Sequence, residues 1–183
     1  MLSAAKQRFA ICLAAGALIA WGCSKAPTSA LAPQQSTTPP FVRVPVGGAQ
    51  PFSTISSSTN SKDIDGSKGG SIDNGRFTLI VPPGAFTGIA TVTILVPNPT
   101  VMQCQLTITP PEANHFAIPV QLVADCHDAS QLNVSSLATL WYDELNQRWT
   151  LVNGSVISIP NSTITTPLMH FSYYGIFDGK AGW

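Results

Sequence analysis

Gly69-Gly70-Ser71-Ile72-Asp73-Asn74-Gly75-Arg76-Phe77-Thr78-Leu79-Ile80-Val81 decides the fold. Two short apolar-alternating runs flank Asp73-Asn74-Gly75, and an Asn-Gly pair supplies the positive φ that a tight hairpin needs. Pro82-Pro83-Gly84-Ala85 follows as a corner in which Pro83 presets φ and Gly84 accepts a left-handed conformation. Ile89 to Val96 alternates as the next strand. The same reading predicts strands at Cys104 to Thr109, Val120 to Cys126, Ala138 to Tyr142, Arg148 to Val152, Val156 to Ile159, Thr163 to Thr165 and Phe171 to Phe177. Asn153-Gly154 is expected to join two of these as a second hairpin. No stretch holds a 3.6-residue apolar period for three turns, and turn signals recur at roughly the 8 to 12 residue spacing of sandwich folds. The expectation is an all-β chain folding as a single antiparallel β-sandwich over residues 68–178, with a tail at 179–183. Roughly 110 residues make one core and no second domain.

Working outward, Lys6 and Arg8 precede an apolar run from Phe9 to Trp21 that stops at Gly22-Cys23. Roughly thirteen apolar residues fall short of the ~20 that cross a bilayer as a helix. Residues 1–22 therefore read as an export signal, and Cys23 immediately after it reads as a lipid-anchor site in the manner of a bacterial lipobox. Ala20 and Trp21 depart from the usual Leu and small residue of that motif. This predicts an extracytoplasmic protein of the bacterial cell envelope, held by its lipid at the outer membrane where one exists, with secretion as the alternative to lipid anchoring. Residues 23–67 carry Pro27, Pro33, Pro39, Pro40, Pro45 and Pro51 among Ser, Thr, Gln and Gly, too few apolar side chains to offset the entropy of ordering. They read as a tether. Within it, Phe41-Val42-Arg43-Val44-Pro45-Val46 alternates and could pair as a short edge strand.

Charge excludes one class of partner. Once Lys6 and Arg8 leave with the signal, seven basic residues face nine acidic ones, and the seven are scattered from Lys25 to Lys180. Nucleic acid needs a positive groove or stripe, which this chain lacks. No constellation calls for a cofactor either.

Gly69-Gly70-Ser71-Ile72, then Phe77-Thr78-Leu79-Ile80-Val81-Pro82-Pro83-Gly84-Ala85, and finally His170-Phe171-Ser172-Tyr173-Tyr174 resemble the ZU-five domain, the β-sandwich of zonula-occludens proteins, netrin receptors and ankyrins. The likeness extends to bacterial exported relatives and covers about residues 68 to 178. It implies a non-enzymatic module that docks a protein partner, without naming the partner. His170-Phe171-Ser172 also resembles the self-cleaving tripeptide of some ZU-five-containing proteins and of a nucleoporin domain. By that resemblance Ser172 would attack the carbonyl of Phe171 with His170 as base. The competing reading has the three residues simply securing the last strand, since the motif supplies the tripeptide and not the strain.

Cys12 leaves with the signal and Cys23 takes the lipid, so Cys104 and Cys126 remain. Pairing them would also pair Leu106 with Ala124 and Ile108 with Leu122 across one antiparallel hairpin, and a disulfide there would stabilise by about 3 kcal/mol. The alternative is two reduced, buried thiols. Asp125-Cys126-His127-Asp128 is a weak metal reading, because neighbours on a strand point to opposite faces. Asp63-Ile64-Asp65-Gly66 lacks the ligand spacing of a calcium loop and reads as solvated turn acids. A carbohydrate platform built from Trp141, Tyr142 or Trp149 is the alternative binding function, set against the more ordinary use of strand aromatics as core.

Overall fold

The computed structural model describes residues 41–44, 57–127 and 134–179. Eleven strands follow in order: β1 Ser58–Asp65, β2 Gly70–Asp73, β3 Phe77–Val81, β4 Ile89–Val96, β5 Gln103–Thr109, β6 Val120–Asp125, β7 Leu137–Asp143, β8 Arg148–Leu151, β9 Val156–Ser158, β10 Thr163–Leu168 and β11 Tyr173–Asp178. They form a six-stranded sheet in the order β1-β4-β5-β11-β7-β8 and a five-stranded sheet in the order β2-β3-β6-β10-β9. Every pairing of the named strands is antiparallel. The expected all-β sandwich is what the chain forms.

Alternation builds the core. In β4, Ala90, Val92, Ile94 and Val96 are buried while the residues between them are less so. In β3, Phe77, Leu79 and Val81 turn in, and in β6 Val120, Leu122 and Ala124 meet them. The period of two is thus a face assignment: one set enters the space between the sheets and the other stays at the surface. Buried hydroxyls meet across that space. Thr139 on β7 and Thr166 on β10 share a hydroxyl hydrogen bond at 2.6 Å, and Ser155 adds a second to Thr166 at 3.0 Å. Both threonines are buried, so each hydroxyl needs the other.

The two predicted turns around β3 form as read. Gly75 has φ 71° and its amide donates to Asp73 Oδ1 at 2.9 Å. At the corner, the Ala85 amide donates to the Pro82 carbonyl at 3.2 Å with Gly84 at φ 83°, which is a type II turn.

Five expectations are corrected. The Cys104–Cys126 disulfide is absent, and both thiols are free and buried. The hairpin it presumed does not form, because β5 pairs with β4 and β11 while β6 pairs with β3 and β10 in the other sheet. The connection through the 3-10 turn Pro111–Ala113 crosses between sheets instead of reversing within one. Asn153-Gly154 likewise joins strands of different sheets: β8 lies on β7, β9 on β10, and Gly154 at φ 83° makes the crossing. The stretch assigned to the tether contributes β1, a polar edge strand whose only buried side chain is Ile64, and composition hides it because an edge strand can be solvated on both faces. Finally, the last strand begins at Tyr173, not at Phe171, because Asn114 takes the Phe171 backbone out of the ladder.

Residues 41–44 dock on the sandwich. The Val42 amide donates to the Ile176 carbonyl at 2.9 Å, the Met102 amide donates to the Val42 carbonyl at 2.9 Å, and the Val44 amide donates to the Thr100 carbonyl at 2.9 Å. Val42 and Val44 are buried in the core. Residues 45 and 46 of the expected edge strand, the export signal at 1–22, Cys23 and Asp128 lie outside the described residues.

Candidate functional site

The His170-Phe171-Ser172 tripeptide joins β10 to β11 and lines a groove of about 380 Å³ shared with Gln105, Thr107, Asn114, Trp141, Glu144 and Tyr173. Its geometry is set by a residue that sequence reasoning passed over. Asn114 ends the 3-10 turn and folds its side chain across the groove: the Phe171 amide donates to Asn114 Oδ1 at 2.6 Å, and Asn114 Nδ2 donates to the Phe171 carbonyl at 3.0 Å. A side-chain amide offers one donor and one acceptor at the spacing of a backbone partner, so Asn114 substitutes for a missing strand. The signal for it was Pro110-Pro111, which starts a short turn and leaves an Asn at its end.

Each group of the tripeptide is held. Phe171 is buried, with its ring edge-on to Phe116 at 4.7 Å. Ser172 Oγ donates to the Tyr142 carbonyl at 3.1 Å, and the Ser172 carbonyl accepts from the Leu106 amide at 2.9 Å. The His170 carbonyl accepts from the buried Tyr174 hydroxyl at 2.7 Å. The imidazole stands edge-on to Trp141 at 4.9 Å. Burial pushes its pKa below the usual 6.5, with His115 adding repulsion, so the ring is neutral at pH 7.

For acyl chemistry the arrangement supplies parts and withholds others. Asn114 Nδ2 sits where a donor to a developing oxyanion on Phe171 would sit. The Ser172 hydroxyl, however, is directed at a carbonyl and not at His170. Neither Phe171 nor Ser172 has a positive φ, and the peptide bond between them is trans, so no backbone outlier marks stored strain there.

The three candidate sugar-stacking aromatics do not share a surface. Trp141 lies opposite Tyr174 on the face that turns to the core, whereas Tyr142 lies opposite Trp149 on the outer face of the six-stranded sheet. Trp149 is further occupied, with Phe41 edge-on at 4.6 Å and Tyr142 tilted at 5.4 Å. Trp141 borders a second groove of about 360 Å³ with Leu151, Pro167, Met169 and His170, whose exposed surface is more apolar than that of the first.

Among the described residues no three His, Cys, Asp or Glu side chains converge to hold a metal. Asp125 Oδ1 accepts from the His127 amide at 2.9 Å and from its ring Nδ1 at 2.7 Å, a local turn closure that leaves Cys126 on the inner side. Asp65 is likewise a turn acid, accepting from the Ser67 amide and hydroxyl and facing Lys68 at 3.2 Å. Asp63 accepts from the Thr91 hydroxyl across the β1–β4 ladder at 2.6 Å. No protein-family model matches the chain, and no curated protein matches it.

Proposed function

We propose that this chain is a non-enzymatic interaction module, exported to the bacterial envelope, anchored by lipid on Cys23, whose ZU-five-like sandwich docks a protein partner. The observation that carries the non-enzymatic part is the use of the tripeptide. Phe171 fills the core, its backbone is clamped by Asn114, and the Ser172 hydroxyl is spent on Tyr142. A nucleophile needs a base within hydrogen-bond reach, and this serine is turned elsewhere. The anchor rests on Lys6, Arg8, the apolar run and Gly22-Cys23. The docking role rests on the resemblance of residues 68 to 178 to ZU-five domains.

Intact mass of the chain extracted from its own membranes tests most of this in one measurement. The expected species starts at a lipid-modified Cys23 and is unbroken to Trp183. A chain starting elsewhere without lipid removes the anchor, and a break at Phe171-Ser172 replaces the docking role with self-cleavage. Saturable binding on a glycan array, lost in Trp141→Ala while the protein stays folded, would put carbohydrate in place of a protein partner.

A further inference from the structure

Gly175 lies in the middle of β11, and its φ falls outside the left-handed region, so the backbone gives no reason for a glycine there. Space gives one. A Cβ on Gly175 would overlap the ring of Phe41, nearer than any side chain tolerates. A glycine inside a strand often marks a place where another group approaches closely. Here that group is an aromatic ring from residues 41–44, with Gly175 as the floor of its socket and Trp149, 4.6 Å away, as a wall.

The rest of the segment continues the fit. Phe41 bridges to Phe177 and Arg43 to Val101; Val42 and Val44 point into the core, and Arg43 points to solvent. Its hold is short. Among the described residues its backbone hold is the Val42 and Val44 amides and the Val42 carbonyl, three hydrogen bonds spanning Val42 to Val44. Short pairings of this kind open locally at far lower free energy than the whole domain.

We propose that Phe41–Val44 is an intramolecular ligand in a strand-binding slot, and that an extended segment of the docked protein, aromatic at the first position and aliphatic at the second and fourth, takes its place. Backbone hydrogen bonds to Ile176, Met102 and Thr100 would hold such a segment, while the Gly175 socket selects the aromatic. Exchange would release Phe41–Val44 from the sandwich, so partner binding adds those residues to the tether. The slot supplies a surface for the docking role proposed above and rests on that reading only for the identity of the guest.

The test uses the full chain and a fluorescently labelled peptide with the sequence of Pro39–Val46. Phe41→Ala empties the socket without touching its walls. That variant should bind the peptide saturably, and the unaltered chain should bind at least tenfold more weakly, because its own segment competes. Adding Gly175→Ala to Phe41→Ala should weaken binding tenfold or more. A folded Phe41→Ala chain that binds no peptide, or that binds it equally well once Gly175→Ala is added, overturns the slot. Should Phe41→Ala unfold, Phe41→Leu serves with the same expectations. A thermal cycle needs no peptide: Gly175→Ala should lower Tm in the unaltered chain and leave it unchanged beside Phe41→Ala. Additive losses would also overturn the socket. Failure of the peptide to bind while a partner is still crosslinked elsewhere on the sandwich would sink the slot and leave the docking role standing.

Discussion

At the residue scale the tripeptide is where chemistry and packing compete, and the bonds around it rank the side chains. Phe171 fills a core position beside Phe116, so Phe171→Ala should cost about 3 to 5 kcal/mol. Ser172 gives one hydroxyl bond to a carbonyl, and Ser172→Ala should cost about 1 kcal/mol. Asn114 falls between them. Its removal leaves the backbone amide and carbonyl of Phe171 without their partner, and Asn114→Ala should cost about 2 kcal/mol. Denaturant midpoints of the three variants check the order. If Ser172→Ala instead costs most, or abolishes a cleaved form, the hydroxyl has a role beyond its bond to Tyr142. Sequence alone pointed to His170, Phe171 and Ser172, because a tripeptide is local. Pro110-Pro111 marks the turn that ends at Asn114 but not its partner, because Phe171 lies 57 residues away and meets it only through the fold.

At the scale of elements, what was legible was whatever depends on neighbours in the chain. Alternation placed β3 and β4 with their inner faces, and Pro83-Gly84 specified its turn, since φ preferences are properties of single residues. Gly84→Ala should therefore cost about 1 to 2 kcal/mol through the left-handed conformation alone, read from the same denaturant curves. Pairing partners were not legible. A turn between two apolar runs looks the same whether the chain reverses in one sheet or steps to the other, and this hides the crossings at Asn153-Gly154 and in the Pro-containing connection from Cys104 to Cys126. The placement of the thiols has a consequence of its own. Burial pushes Cys104 far up and Cys126 up to about 11, with Asp125 adding to the latter, so neither is a thiolate at pH 8. Both should resist iodoacetamide in the native protein and react once it is unfolded in denaturant without reductant. Modification that appears only after reductant is added would restore the disulfide.

For the whole molecule, folding couples these local environments to pH, and the direction follows from which state holds the proton. His170 has its pKa lowered in the folded protein by burial and by His115, so below about 6.5 the unfolded chain takes up that proton first and stability falls with pH. Asp65, Asp125 and Asp143 behave differently. Ser67 and Lys68 hold Asp65 down; burial pushes Asp125 up, but hydrogen bonds from His127 and the charge of Arg76 more than offset it; Asn146 holds Asp143 down. Their contribution is complete above the unfolded value near 3.8 and is lost as pH falls through the lower folded values. The stability curve should thus be level between pH 7 and pH 8, decline once below 6.5, and decline again below 4. His170→Gln isolates the first step, because glutamine keeps a polar side chain of similar reach and cannot titrate. Urea midpoints measured from pH 8 to pH 3 should show the upper decline reduced in that variant and the lower one unchanged. An upper decline of undiminished size would mean that the imidazole beside Trp141 takes its proton as easily in the folded protein as in the unfolded one, and that the groove around it is open to water.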